Sequence, residues 1–362
     1  MPDILESVMD EEAPPLKYRK WLARFALFVC LSTLFLIYMG GLVKSFEAGL
    51  SVHDWPTSMG ENMFTYSPAE WWHLRGYGAD GVFWEHSHRL VASVVGFLML
   101  ILAFWLPFAE SRWWLILTGL GALCLVITQG VLGGLTVLLH LPPAVSISHG
   151  VAAQAFLMLT VIIAYSLSWE RIARHGKAEA EKRCPALTKW AVAMVGAVFL
   201  QLILGAVMRH NQAGLAIPDF PMTAGHIVPR FDEASVAWVN EWARQASVDT
   251  GLAIPRITRH QMIVHFTHRV GAVVVTVIAI GLTLAARRHA EAGRGILRSI
   301  YLLDMFVAAQ FVLGVVTVLS IKHPILTSLH VVTGAALLAW SVVTLLRIVP
   351  VQPAQIAEES LQ

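Results

Sequence analysis

The sequence predicts an all-α membrane protein with eight transmembrane helices, arranged as two parallel four-helix bundles that descend from an internal repeat. Three observations carry this expectation. The 362 residues are 56% hydrophobic and only 14% charged, with a mean hydropathy of +0.63, too little polar surface for a soluble chain of that length. Eight apolar stretches are long enough to cross a hydrocarbon core that needs about 20 helical residues. Finally, phrases of the first half return in the second: "EAGLSVHDWP" at 47–56 comes back as "QAGLAIPDFP" at 212–221.

Taken in order, the spans are expected at about 22–44, 84–108, 113–138, 148–169, 188–209, 261–286, 298–320 and 326–348. The chain then divides into a tail 1–21, a first half 22–169, a basic linker 170–187, a second half 188–348 and a tail 349–362. The first span follows an acidic leader without a small-residue cleavage site, so an uncleaved anchor is expected. Lys17, Arg19, Lys20 and Arg24 precede it. Arg171, Arg174, Lys177, Lys182, Arg183 and Lys189 fill the linker region, and Arg287, Arg288, Arg294 and Arg298 follow span six. By the positive-inside rule these segments and both termini are cytoplasmic. Two long loops, about 45–83 and 210–259, then lie outside. A net charge of +2 gives no reason to expect nucleic acid. Cys30 and Cys124 fall in spans and Cys184 in the linker, so neither a disulfide nor a thiolate metal framework is visible.

The repeat extends beyond the loop phrase. "WEHSHRLVASVVG" at 84–96 aligns with "VHFTHRVGAVVVT" at 264–276, and "QGVLGGLTVL" at 129–138 with "QFVLGVVTVL" at 310–319. The second register carries on to pair Pro143 with Pro324 and His149 with His330. An even number of spans per half gives both halves one orientation, a parallel repeat. Ligand positions in one half should therefore recur in the other.

Of 15 histidines, two pairs do recur: His88 with His149, and His268 with His330. Each begins a span running from outside to inside, which places both members of a pair at one level near the outer face. Two neutral imidazoles on neighbouring helices suit a six-coordinate haem iron. A lone histidine at a helix mouth is ordinarily an interfacial polar residue; it is the repetition at matched depth that favours a ligand pair. Zinc would want a fuller ligand set. Arg89 and Arg269 follow the first histidine of each pair and are candidates for the haem propionates, against the plainer reading of arginines snorkelling at a helix end. Gln129 and Gln310 read as interhelical hydrogen-bonding groups. His53, His73, His140, His210, His226, His260 and His323 read as surface residues of the outer side, and His175 and His289 as cytoplasmic ones. In the loop phrase, Gly49 and Gly214 permit a turn, Asp54 and Asp219 can accept loop hydrogen bonds, and Trp55-Pro56 and Phe220-Pro221 suit a stiff interfacial segment. The loop is then a cap over each bundle, or more sharply a lid over each pocket.

The phrases "GGLVKSFEAGLSVHDWP" and "EHSHRL", their echoes "AGLAIPDFP" and "HFTHR", and the placing of His149 and His330 resemble the heme A synthase family over about 22–348. The resemblance implies an eight-helix fold in two halves and stepwise oxidation of one ring methyl of heme o to a formyl group, giving heme a for terminal oxidases. It implies a heme b cofactor on His268 and His330, and the substrate haem on His88 and His149. A heme o synthase and an electron-transfer partner are implied alongside, and a homo-oligomer is compatible with the small residues of the spans. Some members carry an outer-loop cysteine pair that this chain lacks. A bacterial inner membrane is the expected location, since no transit peptide is visible.

The halves differ at one informative place. Glu85 lies three residues before His88 and shares its helix face, whereas the equivalent residue is His265. An ionisable group at that depth is a functional candidate, here a catalytic carboxylate; the plain alternative is a helix-start acid favoured by the macrodipole. His86 and His265 lack counterparts and are not expected to be ligands. The rival function is a di-haem b-type electron carrier or quinone oxidoreductase. Against it, all four histidines lie on the outer side, whereas a transmembrane wire wants a haem near each face.

Overall fold

The structure, a computed structural model, describes residues 17–175, 184–289 and 293–349. The acidic leader, most of the tail 349–362 and the linker residues Lys177, Lys182 and Arg183 lie outside the described residues. Among the described residues eight helices are long and apolar enough to cross a membrane: α1 (Lys20–Ser45), α2 (Val82–Ala109), α3 (Trp113–Leu138), α4 (Pro143–Ser166), α5 (Pro185–His210), α6 (Arg259–Arg288), α7 (Arg294–Leu319) and α8 (Pro324–Ile348). With the chain's composition, they make this an integral membrane protein of the all-α class.

Local sequence fixes several helix starts. Pro143, Pro185 and Pro324 open α4, α5 and α8, where the missing N–H costs nothing and the fixed φ already suits a helix. At α6 the side chain of Thr258 accepts from Gln261 N while Gln261 reaches back to Thr258 N, a capping box. The proline at 143 starts α4 five residues before the expected 148, because Pro143, Ser146, Ser148 and His149 keep the hydropathy of its first two turns low. His88, His149 and His330 consequently sit six residues after the first residue of their helices, about 9 Å down the axis, deeper than a helix mouth.

Each half has its own core. Leu22, Ala26, Val95, Met99, Leu106, Leu115, Phe156 and Ile163 pack together in the first, and Leu187, Met194, Leu282, Ile300, Leu303 and Leu338 in the second. A third cluster joins them: Leu157 and Val161 of α4 meet Ala335 and Val342 of α8, flanked by Cys30, Leu34 and Ile37 of α1 and Val195 of α5. On the other side the helices show apolar side chains outward, among them Phe97, Phe104, Phe108, Leu117, Val273, Val277, Ile280 and Met305, the surface a bilayer would cover. At the end opposite the long loops, Arg347 pairs with Glu170 at 2.6 Å and Arg171 donates to the carbonyls of Leu346 and Val349. The halves are therefore fastened to each other well away from the histidines.

The loop expected at about 210–259 contains an 18-residue helix, Glu233–Thr250, which a search for membrane spans passes over. Its inward face is small and apolar, with Val239, Ala243 and Ala246 buried, while its other faces are polar. Asp232 caps its start by accepting from Ser235 N, and Gly251, at φ 70°, ends it in the left-handed conformation. The first outer loop has the short helix Pro68–Trp71, a 3-10 turn Gly78–Gly81 and a small core around Val52, Tyr66, Trp71 and Val82.

Candidate functional site

Each of the four recurring histidines lies against a glycine of the neighbouring helix. A Cβ on Gly40 would stand 3.2 Å from His88 Cε1, on Gly133 3.3 Å from His149 Cε1, on Gly205 3.1 Å from His268 Cε1, and on Gly314 3.1 Å from His330 Cε1. Each imidazole edge thus occupies the space of a missing side chain, and the ring is wedged in a fixed attitude between two helices. All four side chains are half-buried. His88 and His149 are near enough to interact electrostatically, as are His268 and His330, so the structure brings each expected pair together. Nδ1 of His88, of His149 and of His330 is buried without a hydrogen-bond partner. An imidazole left unpaired in an apolar bundle is costly, and it is a ready donor to a metal. Among the described residues no three of His, Cys, Asp and Glu cluster as a metal site, which leaves ligation by a histidine pair, the set a planar tetrapyrrole iron needs from protein. The residues present fit a haem.

The second pair has glutamine company. Gln201 Nε2 lies 3.2 Å from His268 Nδ1 and donates to the His268 carbonyl at 2.9 Å, and Gln310 Nε2 lies 3.4 Å from His330 Nε2. In the first half Gln201 is matched by Leu36, and the Nε2 of Gln129, the counterpart of Gln310, is buried without a partner.

Arg89 and Arg269 do something other than face an open pocket. Arg89 donates through Nη1 to the carbonyls of Asp54 and Thr57, and through Nη2 to that of Val52 and to Glu85. Arg269 donates to the carbonyls of Met222, Ile217 and Asp219, the same three places of the loop phrase. Beyond them, Asp54 accepts from Met59 N and Gly60 N, and Asp219 from Ala224 N and Gly225 N. Those amides belong to a tight turn with left-handed backbone at Met59 and Gly60 (φ 56° and 82°) and at Ala224 and Gly225 (φ 50° and 77°), a conformation a non-glycine residue adopts only when held there. Burial alone would raise the Asp54 carboxyl, but hydrogen bonds from Thr57, Gly60 and Met59 outweigh it and hold it below the usual range. From this turn Trp55 reaches α3: a Cβ on Gly134 would be 2.4 Å from its Cδ2. Each loop is thus riveted to the helix bearing the first histidine of the pair, and each also seats on the next helix, Trp55 against Gly134 of α3 and Phe220 against the ring of Phe311 of α7.

The halves part at Glu85. Only 4% exposed, its Oε1 pairs with Arg89 at 2.7 Å and its Oε2 accepts from Val52 N at 3.0 Å. The carboxylate expected to be catalytic beside His88 joins the helix to the loop at Val52. In the second half the Nδ1 of His265 lies 3.0 Å from the Ala213 carbonyl. His86 packs into the loop core, its ring against Tyr66 and Trp71 and Nδ1 at 3.1 Å from Ser58 Oγ.

Sequence reasoning missed two features. The glycine seats were readable in principle, since Gly40 aligns with Gly205 and Gly133 with Gly314, but a small residue in an apolar span has many meanings. His210, expected at the surface, is half-buried beside Lys44 and Arg209.

Residues 23–342 match the COX15-CtaA family, described as cytochrome oxidase assembly protein. The chain is also similar to the heme A synthase of Bradyrhizobium sp. (strain ORS 278), 28% identical over 94% of this chain and 93% of that one. To that of Sphingopyxis alaskensis it is 27% identical, over 90% and 92% of the two chains, and to that of Caulobacter sp. (strain K31) 28% identical, over 86% and 92%. A match running from the start of α1 into α8 takes in both histidine pairs and both lids, and this chain belongs to the COX15-CtaA family.

Proposed function

We propose that the protein is a heme A synthase, an oxidoreductase that converts one ring methyl of heme o to a formyl group. The observation that carries this reading is the double histidine pair, each ring wedged over a glycine, in a member of a family whose similar proteins bear that name. One pair would suffice for a binding protein; two pairs with unlike surroundings suit one resident and one transient haem.

His268 and His330 hold the resident group, heme b, because Gln201 and Gln310 fix their orientation. His88 and His149 receive heme o. The haem iron supplies the one-electron chemistry when bound. The chain's part is to fix the ring plane, exclude water and steady the charges. The first lid, riveted by Arg89 and seated by Trp55, shields the substrate site from the outer aqueous phase. Glu85 acts as a positioning residue: its oxygens are taken by Arg89 and Val52 N, so it ties the helix that carries His88 to the first loop. With basic segments inside, both sites lie toward the outer face, both termini are cytoplasmic, and a bacterial inner membrane is the natural setting. A heme o synthase supplies the substrate; the formyl oxygen comes from water, with four electrons passed to an electron-transfer partner, or from dioxygen, which is then itself the oxidant.

Pigment extraction from the purified protein tests this. Heme b together with heme o, heme a or the intermediate alcohol is the expected content. Heme b alone, filling both sites, would establish a di-haem electron carrier instead.

A further inference from the structure

A group of cations, Lys44, Arg209 and Lys322, lies near both histidine pairs. Arg209 Nη2 donates to the Gly41 carbonyl at 2.8 Å and to Ser45 Oγ at 2.9 Å. Ser45 Oγ also accepts from Ser328 Oγ at 3.1 Å. These contacts place Arg209 centrally: Gly41 adjoins Gly40, the seat of His88; Ser328 is two residues before His330; and Arg209 is one turn beyond Gly205, the seat of His268. The next residue, His210, is close enough to His149 to interact with it electrostatically, and Arg209 to His330. Lys44 stands at the position of α1 that matches Arg209 in α5. Lys322, in the α7–α8 turn at φ 59°, lies over Gly214, where an added Cβ would meet its Cδ at 3.2 Å.

Lys44, Arg209 and Lys322 act on one another, and the carboxylate that acts on Lys44 and Lys322 is Glu47, which is itself exposed. Among the described residues none of the three cations has an acidic partner within 4.0 Å. Three positive charges therefore face one negative charge at the outer ends of membrane helices, where unpaired charge is costly. Arg209 also keeps three of its five N–H donors for a further acceptor. An anion is wanted here, and the arginines that adjoin the histidines are already committed to loop carbonyls.

We propose that Lys44, Arg209 and Lys322 form a carboxylate-binding site shared by the two histidine pairs, which receives the propionate side chains of haem. This rests on both pairs holding haem. The site sets each ring's rotation about the iron axis, because a tetrapyrrole held only by two imidazoles is free to turn. It also places positive charge between the two rings, which favours the reduced state of each.

The test uses the full-length protein in detergent, from haem-limited cells, titrated with ferric protoporphyrin IX and with its dimethyl ester. The wild type should bind the diacid about tenfold or more tightly than the ester. Arg209→Gln and Lys322→Gln should bring that ratio toward one while leaving ester binding unchanged, Arg209→Lys should restore part of it, and in both Gln variants the midpoint potential of the bound haem should fall. Equal weakening toward both ligands would make the cluster a structural strut and overturn the proposal, as would an unaltered ratio. So would loss of bound phospholipid phosphorus with haem selectivity intact, which would assign the cluster to lipid headgroups. Failure of the wild type to bind either porphyrin would overturn the haem reading itself, and this proposal with it.

Discussion

The two halves place their histidines alike and surround them differently. In the second half His268 and His330 have Gln201 and Gln310 beside them. In the first, Leu36 replaces one glutamine, and the Nε2 of the other, Gln129, has no partner, whereas in the second half Nε2 of both glutamines meets a histidine ring and only their Oε1 atoms are unpartnered. A resident cofactor gains from surroundings that lock its ligands, whereas a substrate must enter and leave, and a looser pocket serves exchange. The lids differ in the same sense. Arg89 and Arg269 clasp the same three loop carbonyls, but only Arg89 has a buried carboxylate, Glu85, joining the helix to the loop amide of Val52.

The histidines break the comparison most sharply. His268→Ala or His330→Ala should abolish the low-spin b-type spectrum of the purified protein. His88→Ala or His149→Ala should leave that spectrum and remove heme a from cells that have no other copy. Loss of the b-type spectrum in the first-half variants with heme a production retained would reverse the assignment of the halves.

The glycine seats come next. Gly205→Val and Gly40→Val each push a side chain into an imidazole that a Cβ alone would approach to 3.1 and 3.2 Å. A displaced ligand costs about 10²-fold in rate when the shift is near 1 Å. Gly205→Val should lower haem content, and Gly40→Val should lower turnover at unchanged b-type content. Indifference of both quantities would mean that the seats are incidental to ligation.

What the sequence disclosed follows from how each feature is encoded. Hydropathy counts along the chain, so the eight spans were legible, and their ends were missed where a proline such as Pro143 started a helix in a stretch of low hydropathy. The histidine pairs were legible because like sequence phrases carry them in both halves. Glu85 was singled out correctly as the odd residue, but its partner Val52 is 33 positions away, and no local pattern reports such a contact. The same holds for Arg209, whose acceptors lie 168 and 164 residues away. The propionate role expected of Arg89 and Arg269 came from their position beside a candidate ligand; their contacts with the loop carbonyls could not be read from that position.

Glu85→Gln tests the difference between the lids. The amide keeps one acceptor for Val52 N but loses the charge that Arg89 meets in a buried setting, where breaking one partner of an ion pair is costly. A looser first lid should lower heme a formation about tenfold or more, within the range seen for misplaced groups, while the b-type spectrum stays intact. The split between a positioning residue and a proton acceptor lies in the pH profile: a positioning role lowers the rate evenly across pH, whereas a general base would remove a limb of the profile. An unchanged rate would leave Glu85 as a helix-start acid.

The smallest effect concerns the turn under the first lid. Asp54 lies outside the membrane helices, and its carboxyl is held below the usual range because hydrogen bonds from Thr57, Gly60 and Met59 outweigh burial. A group whose value is lower folded than unfolded contributes stability that is present above the unfolded value and lost as pH falls through the folded one. Acidification below the ordinary carboxylate range should therefore loosen the Met59–Gly60 turn while the transmembrane core stays intact, and amide exchange at Met59 and Gly60 reads this directly. Asp54→Asn should show part of the loosened exchange already at neutral pH and no further change on acidification, because its Oδ1 can accept from one backbone N–H, its amide nitrogen cannot accept from the other, and the titrating group is gone. Since Arg89 holds the same loop through three carbonyls, the lid should stay docked and the cost should remain local, of the order of one charge-assisted hydrogen bond, about 1.5–3 kcal/mol at most. Exchange rates at Met59 and Gly60 that ignore both the substitution and the pH would show that Arg89 alone sets the turn.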